Sequence, residues 1–262
     1  MALTINTNVA SLNAQRNLNT TQNALSKSME RLSSGLRINS AADDAAGLAI
    51  SVGMNANVKS MNQAIRNAND GVSLAQTAEG TLSETTNILT RMRELAMQSA
   101  TGTITDTQRG SIENEFKQLS SEIDRISGPG TTVSFQIGTN NGANDTISLT
   151  TTAGTVSALG IGSTTVSTQA GSQAALGAID TALSSVSTLR GTLGAVQNRL
   201  QSTISNLQVN VENTSAALSR IRDVDVAAET ANMTRANILV QAGVSILSQA
   251  NSSPQSALKL LQ

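Results

Sequence analysis

The sequence predicts a mainly α-helical fold: an elongated antiparallel helical hairpin or bundle with paired N- and C-terminal coiled-coil helices and a small β-hairpin cap in its middle. Apolar residues recur at heptad spacing over long stretches on both sides of the centre of the chain. Only 1% of the residues are aromatic, so the chain lacks the bulky side chains that fill a compact core. One central segment changes to alternating β-type residues bounded by turn signals.

The first helix is predicted over about Thr7–Leu36. Its apolar stripe consists of Leu18, Leu25 and Leu32 in one row and Met29 and Leu36 in the adjacent row. A stripe this narrow on a polar helix needs a partner, because a lone helix of this kind is marginal in water.

The segment Ser33–Gly47 interrupts the heptad rhythm, and we expect it to form an ordered connector between two helical layers. Its candidate residues are Arg31, Arg37, Asn39, Asp43 and Asp44. The adjacent acids Asp43 and Asp44 could be a metal-binding pair, but acids that follow Ser40 at a helix start are favoured by the helix dipole. We therefore prefer the helix start.

A second helix is predicted over Leu48–Ser99, roughly 75 Å long if it is uninterrupted. Gly71 and Gly80 are expected to weaken it locally, by about 1 kcal/mol each relative to Ala. A shorter helix with a seam from Ile112 to Ile126 follows. Gly128-Pro129-Gly130 is expected to end it, since Pro cannot continue a helix and Gly frees the backbone.

The segment Thr131–Gly171 reads as short strands, such as Val133–Ile137, with turn signals that include Asn140-Asn141-Gly142. It is too small for an independent sandwich, so we expect it to pack on the helices as a cap. Helical periodicity then resumes from Ala174 to Ile221, where Arg190 is a polar interruption and a possible partner for Glu79.

The final helical segment carries its apolar row at Val226, Met233, Val240 and Leu247, with Val244 alongside. The chain therefore returns on itself and brings its ends together. Three parts are predicted. These are residues 1–40 with 222–262 as a terminal helix pair, 41–130 with 172–221 as a helical rod, and 131–171 as the β-rich cap.

Composition excludes several classes of function. The formal net charge of −1 gives no electrostatic basis for binding nucleic acid or an anionic membrane. Without Cys or His there are no disulfides, no zinc centres and no His-based catalysis, and no cofactor motif is present. The uncharged stretch Ala236–Leu258 is interrupted by residues such as Gln241 and Pro254, so we reject a membrane span. No cleavable signal is visible in Met1–Asn13. We predict that the protein is not an enzyme.

Several blocks resemble the bacterial flagellins. They are Ile5–Asn8 with Leu12–Gln15, Glu30–Ile50 (ERLSSGLRINSAADDAAGLAI), Ser219–Met233 and Gln241–Asn251. Long matches at both ends of the chain, in the right order, are specific. The large outer domains that are common in the family are absent here.

The resemblance implies that the terminal helices pair into an inner tube that lines the channel of an extracellular filament, with the rod outside it. It implies export through the flagellar type III apparatus without signal cleavage. The implied partners are other copies of the chain in a helical homopolymer, a secretion chaperone at the C-terminal segment, and the filament cap and hook-junction proteins.

Thr90–Ala96 together with Glu115 resembles the surface that innate immune receptors recognise on many flagellins. The heptad frame places Arg91 and Leu95 opposite the seam residues, and an outward Leu95 would invite an intermolecular contact. Alternatively, Leu95 turns towards the short helix in a three-helix layer. Arg91, Leu95 and Glu115 are therefore candidates for receptor binding or for subunit packing.

We expect the function to be polymerisation by coupled folding and assembly. The stripes of Thr7–Leu36 and Val226–Leu247 bury too little apolar area in one subunit to offset the entropy of ordering them. The low charge of the two ends fits burial between subunits, and it also fits a channel wall that does not retain passing chains. The alternatives are a hook–filament junction protein and a secreted rod-like adhesin or ligand.

Overall fold

A computed structural model describes residues 7–128, 130–151 and 154–259. Its helices are α1 (Val9–Ser34), α2 (Ala45–Ser99), α3 (Asp106–Ser127), α4 (Gln169–Arg222) and α5 (Val226–Lys259). Strands β1 (Thr131–Gln136) and β2 (Thr146–Thr151) form an antiparallel hairpin between α3 and α4. The predicted fold class, mainly helical with a β-hairpin in the middle, is confirmed.

The described residues form two compact units. One contains the two ends of the chain, up to Ala56 and from Asn213, and the other contains Asn57–Glu212. The first unit includes α1, α5 and the segments that connect them to the long helices. The second includes α3 and the hairpin. The three-part division predicted from the sequence remains a prediction.

The unit Asn57–Glu212 has a continuous apolar core. The predicted seam rows of the long helices are buried, for example at Ala75 and Leu89 on α2 and at Ile179 and Val186 on α4. Phe116 of α3 completes the largest cluster. Each fully buried side chain of this size contributes about 1.5–3 kcal/mol, which explains why polar helices hold together here.

The hairpin lies against the sides of α2 and α4. Phe135 is paired with Ile147, and Val133 with Leu149, so these four side chains share one face. Ile147 and Leu149 are buried in the clusters that α2 and α4 form. The ring of Phe135 lies over Gly71 on α2, where there is no side chain to exclude it. The predicted packing of this segment on the helices is confirmed, but it covers their sides rather than an end.

Two buried charged residues support the end of α2. Arg109, 6% exposed, donates hydrogen bonds to the carbonyl oxygens of Ser99 (3.0 Å), the last residue of α2, and of Thr101 (2.9 Å), just beyond it. It so satisfies acceptors that the helix end leaves without a partner within the helix. Glu113 accepts a hydrogen bond from the backbone N–H of Val166 at 2.6 Å. Periodicity gave no sign of either role, because both residues read as surface charges on α3.

The predicted pairing of Glu79 with Arg190 is confirmed. The Arg190 Nη2 and Glu79 Oε1 atoms are 3.7 Å apart, and Gln197 Nε2 donates to Glu79 Oε2 at 3.2 Å. A half-exposed pair of this kind stabilises little, but it shows that the polar interruptions of α2 and α4 face each other.

Candidate assembly surface of the terminal helices

Helices α1 and α5 pair antiparallel, and each starts at a side-chain cap. Asn8 accepts a hydrogen bond from the backbone N–H of Ser11 at the start of α1. Asp225 accepts from the N–H groups of Ala227 and Ala228 at the start of α5. Such caps satisfy N–H groups that have no partner within the helix.

Most of the predicted stripe residues are half-buried. They are Leu18, Leu25, Leu32 and Leu36 in the N-terminal segment and Met233, Val240 and Leu247 on α5. These side chains lie at heptad spacing, as the sequence predicted, but none of them reaches the burial of a core residue.

Three of the predicted stripe residues point away from the seam. Met29, Val226 and Val244 are 51%, 61% and 53% exposed, so they do not contribute to the contact between α1 and α5 within one subunit, and their role in self-assembly remains a prediction. Ser28, which is buried, takes the inward position beside Met29. Gly243 rather than Val244 faces α1, because Leu18 needs the space that a missing side chain leaves.

The described part of the unit formed by the chain ends has no apolar core of its own. Among its described residues, the buried apolar side chains are Ile38 and Ala236. This unit carries ten of the thirteen large hydrophobic side chains that are exposed in the described part of the chain. Exposed apolar groups at this density are typical of an interaction surface.

Helix α5 has apolar groups on two opposite faces. The seam row contains Met233, Val240 and Leu247. The outer row contains Ile238, Ala242 and Ile246 at four-residue spacing, and both isoleucines are about three-fifths exposed. We call the row Ile238, Ala242 and Ile246, together with the neighbouring Leu239, the outer face of α5. A helix that is apolar on two faces is covered on both sides in its working state.

The connector is tied to the end of α4 by backbone pairing. Leu36 and Asp223 form an isolated antiparallel bridge. The N–H of Arg37 donates to the carbonyl oxygen of Arg222 at 2.6 Å, and its guanidinium donates to that of Ile221 at 2.7 Å. Arg37 thereby supplies donors and positive charge at the C-terminus of α4, where free carbonyl groups and the helix dipole favour both.

Asp43 and Asp44 have different roles in the turn before α2. Asp44 accepts a hydrogen bond from the backbone N–H of Gly47 at 2.8 Å and so starts α2, which fits the helix-start interpretation. Asp43 accepts from the N–H of Ser40 and pairs with Lys27 Nζ at 2.7 Å. The Lys27 ammonium, aided by the Ser40 N–H, holds the pKa of Asp43 well below its usual range. No group of three potential metal ligands occurs among the described residues.

Arg31 lies between two acids. Its guanidinium is 4.0 Å from Asp43 Oδ1 and 3.8 Å from Glu229 Oε2, and it therefore links α1 to both the connector and α5. Asn39 Nδ2 donates to Glu30 Oε1 at 2.7 Å and fixes the connector to α1 a second time. The sequence singled out Arg31, Arg37 and Asn39, but it did not identify Glu229 as a partner.

The candidate receptor or packing surface of the other unit contains two of its three predicted residues. Arg91 pairs with Glu115 at 2.9 Å and with Glu94 at 3.0 Å, and all three are exposed. Leu95 is 2% exposed and belongs to the core that includes Phe116. The expectation that Leu95 points outward is wrong, because α3 covers that side of α2 in the three-helix layer that was the alternative.

Comparison with known proteins identifies the family. The profile described as "Bacterial flagellin N-terminal helical region" matches residues 5–136, and the "Bacterial flagellin C-terminal helical region" matches residues 176–261. Flagellin from Halalkalibacterium halodurans is 46% identical over 98% of this chain and 99% of its own length. The chain belongs to the bacterial flagellin family. The relationship covers both terminal segments and the helices between them.

Other relatives place this flagellin among the short members of the family. The flagellar filament 31.3 kDa core protein of Treponema maltophilum is 38% identical over 98% of this chain and 99% of its own length. The B-type flagellin of Pseudomonas aeruginosa is 49% identical, but the match covers only 35% of that longer protein. The crystal structure of Bacillus cereus flagellin matches 58% of this chain with 30% identity and a TM-score of 0.47. Within the described ranges, no helix of this flagellin combines the length and apolarity needed to cross a membrane.

Proposed function

We propose that this flagellin is exported and polymerises into the extracellular filament of a bacterial flagellum, and that its terminal helices are the surfaces through which copies join. The observation that carries the proposal is the helical unit of the chain ends, whose described residues form paired helices but no apolar core. Two relatives that this chain matches over 99% of their length, named flagellin and flagellar filament core protein, support the same function.

Assembly supplies the burial that a single subunit lacks. Complete burial of an Ile or Leu side chain contributes about 1.5–3 kcal/mol, and the outer face of α5 presents Ile238, Leu239 and Ile246. Ordering each residue of a helix costs about 1–2 kcal/mol in backbone entropy. We therefore propose that α1 and α5 fold stably only when neighbouring subunits cover them.

Seeded elongation tests the proposal. Purified subunits are added to short filament fragments, and filament length is measured by electron microscopy. We expect Ile238→Ser and Ile246→Ser to slow elongation strongly, because each removes apolar area that the neighbour would bury. Asn237→Ser, an exposed polar change on the same helix, is the matched control and is expected to elongate normally. Normal elongation by both Ile variants would refute the role of the outer face, and failure of the unmodified chain would favour a junction protein.

Hydrogen exchange tests the coupling of folding to assembly. In free subunits we expect rapid exchange of α1 and α5 amides and slow exchange in the core of Asn57–Glu212. In filaments both regions are expected to exchange slowly. Firm protection of α1 and α5 in the free subunit would contradict coupled folding.

The partners at the chain ends follow from the same surface. A free subunit that exposes the outer face of α5 needs a cover before assembly, which supports a secretion chaperone at the C-terminal segment. The filament cap and the hook-junction proteins would meet the same terminal helices at the two ends of the polymer. Co-purification of a chaperone with the unmodified chain, but not with Ile238→Ser, is the expected result.

Arg91 and Glu115 support a second role, as a contact for an innate immune receptor on free subunits or as a packing contact in the filament. Arg91→Ala is expected to weaken receptor signalling by free subunits, because it removes an exposed cation and frees Glu115. Arg93→Ala is the control, since Arg93 is similarly exposed and pairs with Asp180 instead. An unchanged dose response for Arg91→Ala would rule out the receptor role.

A further inference from the structure

The apolar stripe between α1 and α5 does not by itself define how the two helices are aligned. Leu18, Leu25 and Leu32 repeat every seven residues, and so do Met233, Val240 and Leu247. If α5 moves by one heptad, about 10 Å at 1.5 Å per residue, Leu25 takes the place of Leu18 and Leu32 that of Leu25. The half-buried contacts of the stripe are then largely regained.

Polar contacts at both ends of the pair occur in one alignment only. At one end, Ser11 Oγ donates to Asn251 Oδ1 at 2.8 Å, and Asn8 Nδ2 donates to the carbonyl oxygen of Ala250 at 2.8 Å. At the other end, Arg31 faces Glu229 at 3.8 Å. Ser11 and Glu229 are each 8% exposed, so neither can replace its partner readily with water.

The same one-heptad shift breaks these contacts. It places Ala236 opposite Arg31 and Leu18 opposite Asn251, and it carries Glu229 past Ser34, the last residue of α1. Glu229 would then have lost Arg31, its cation in the observed register, and an unpaired carboxylate is costly wherever it stays buried. A buried polar group that loses its partner costs more than the net stabilisation that the original bond contributed.

Gly243 adds a steric preference for the observed alignment. A Cβ atom built on Gly243 would lie 3.2 Å from Leu18 Cδ1 and 3.9 Å from Leu18 Cβ, so the two helices approach closely at this point. Gly243 alone does not decide the alignment, because Leu25 has the same side chain as Leu18 and would fit the same space after a shift.

We infer that two polar clamps, Ser11–Asn251 and Arg31–Glu229, set the register of α1 against α5 in the assembling subunit. The apolar stripe provides attraction, and the clamps select one of its near-equivalent alignments, as single polar residues do at the seams of coiled coils. The inference rests on the proposed function, since a subunit whose ends pair one heptad out of register presents a displaced outer face to its neighbour.

Cysteine cross-linking reads the register directly, because the chain contains no Cys. The pair Leu18→Cys with Gly243→Cys reports the observed register, since the Cβ separation of 3.9 Å suits a disulfide. The pair Leu25→Cys with Gly243→Cys reports the shifted register. Both pairs are oxidised with glutathione disulfide in filaments of the full chain, and intrachain cross-links are quantified by mass spectrometry.

With both clamps intact, we expect the 18/243 cross-link and almost none at 25/243. Replacing Ser11 and Glu229 with Ala removes the clamps without leaving the buried acid unpaired. The ratio of the 18/243 to the 25/243 cross-link is then expected to fall about tenfold or more. Arg16→Ala with Asn13→Ala removes one charged and one polar exposed residue of α1 and is expected to leave the ratio unchanged.

An unchanged ratio in the clamp variant would overturn the inference. The remaining contacts, namely the stripe, Gly243, the Asn8–Ala250 bond and the backbone bridge of Leu36 with Asp223 just before α5, would then suffice. Loss of both cross-links would also overturn it, since the clamps would hold the helices together rather than align them. Elongation by the unmodified chain is scored separately. If that chain does not elongate, the proposed function fails. If it elongates normally and the clamp variant keeps the observed register, only the inference about the clamps is rejected.

Discussion

Gly71 and Gly80 offer a sharp test of the packing of the hairpin, because both interrupt α2 but only one is covered. An added Cβ at Gly80 meets nothing within 4 Å. At Gly71 it would lie 3.1 Å from Leu200 Cδ1 and 3.2 Å from Phe135 Cδ2, which is tighter than ordinary contact. The two substitutions to Ala therefore share the same gain in helix propensity and differ in what the new methyl group touches.

The magnitudes separate the two variants. Gly→Ala inside a helix stabilises by about 0.5–1 kcal/mol, and this is the full effect expected for Gly80→Ala. Overpacking a filled site costs about 1–3 kcal/mol, so Gly71→Ala is expected to be neutral or destabilising in spite of the same gain. The two variants should differ by about 1–3 kcal/mol, or several degrees in Tm for a unit of this size.

The assay is urea and thermal unfolding of the full chain followed by circular dichroism at 222 nm, since the protein has no Trp or Tyr for fluorescence. Introducing Phe135→Leu together with Gly71→Ala completes a double-mutant cycle. A smaller side chain at position 135 is expected to relieve part of the cost. Equal stabilisation by Gly71→Ala and Gly80→Ala would refute the placement of Phe135 over α2.

Two further outcomes are expected. Arg109→Ala should lower the free energy of unfolding by about 1–3 kcal/mol in urea titration, because it leaves the carbonyl oxygen of the buried Ser99 without the Arg109 donor. The exposed Arg125→Ala should change it by less than about 0.5 kcal/mol, and equal losses would contradict the buried role of Arg109. Asp43 has a lowered folded pKa, so its stabilising effect is complete above its unfolded pKa of about 3.9 and is lost as the pH falls towards the folded value. The amide shifts of Asn39 and Ser40, whose N–H groups bond to Asp43, should titrate well below pH 3.9 in solid-state NMR spectra of assembled filaments, where α1 carries Lys27 in place. A midpoint near 3.9 would exclude the ion pair with Lys27.

The sequence anticipated the helices well because their apolar rows repeat over many turns. Rows such as Ala75–Leu82–Leu89 on α2 and Ile179–Val186–Leu193 on α4 can be buried only if the helices face one another. The polar interruptions Glu79 and Arg190 could even be matched across the two helices. Met29 and Val244 do not lie in long apolar rows. The sequence therefore could not show whether these residues or their neighbours Ser28 and Gly243 face the seam.

Leu95 shows why a single seam is an incomplete guide. The row through Leu89 and Ala96 assigns one contact face to α2, but α3 packs on a second face and buries Leu95. Heptad spacing indicates which residues of α2 are apolar, but it does not indicate how many other helices pack around α2. For the same reason, the buried roles of Arg109 and Glu113 were not visible in the sequence.

The sequence by itself determined the fold class, the order of the helices, the central hairpin and the weak apolar stripes at the two ends, because each depends on the period of apolar residues along the chain. Only the tertiary structure decided which side chains meet. It distinguished Gly71 from Gly80, which are equivalent in a helix without neighbours, and it brought Arg31 to Glu229 from opposite ends of the chain. Such pairings depend on the alignment of distant segments, and a repeating stripe permits more than one alignment.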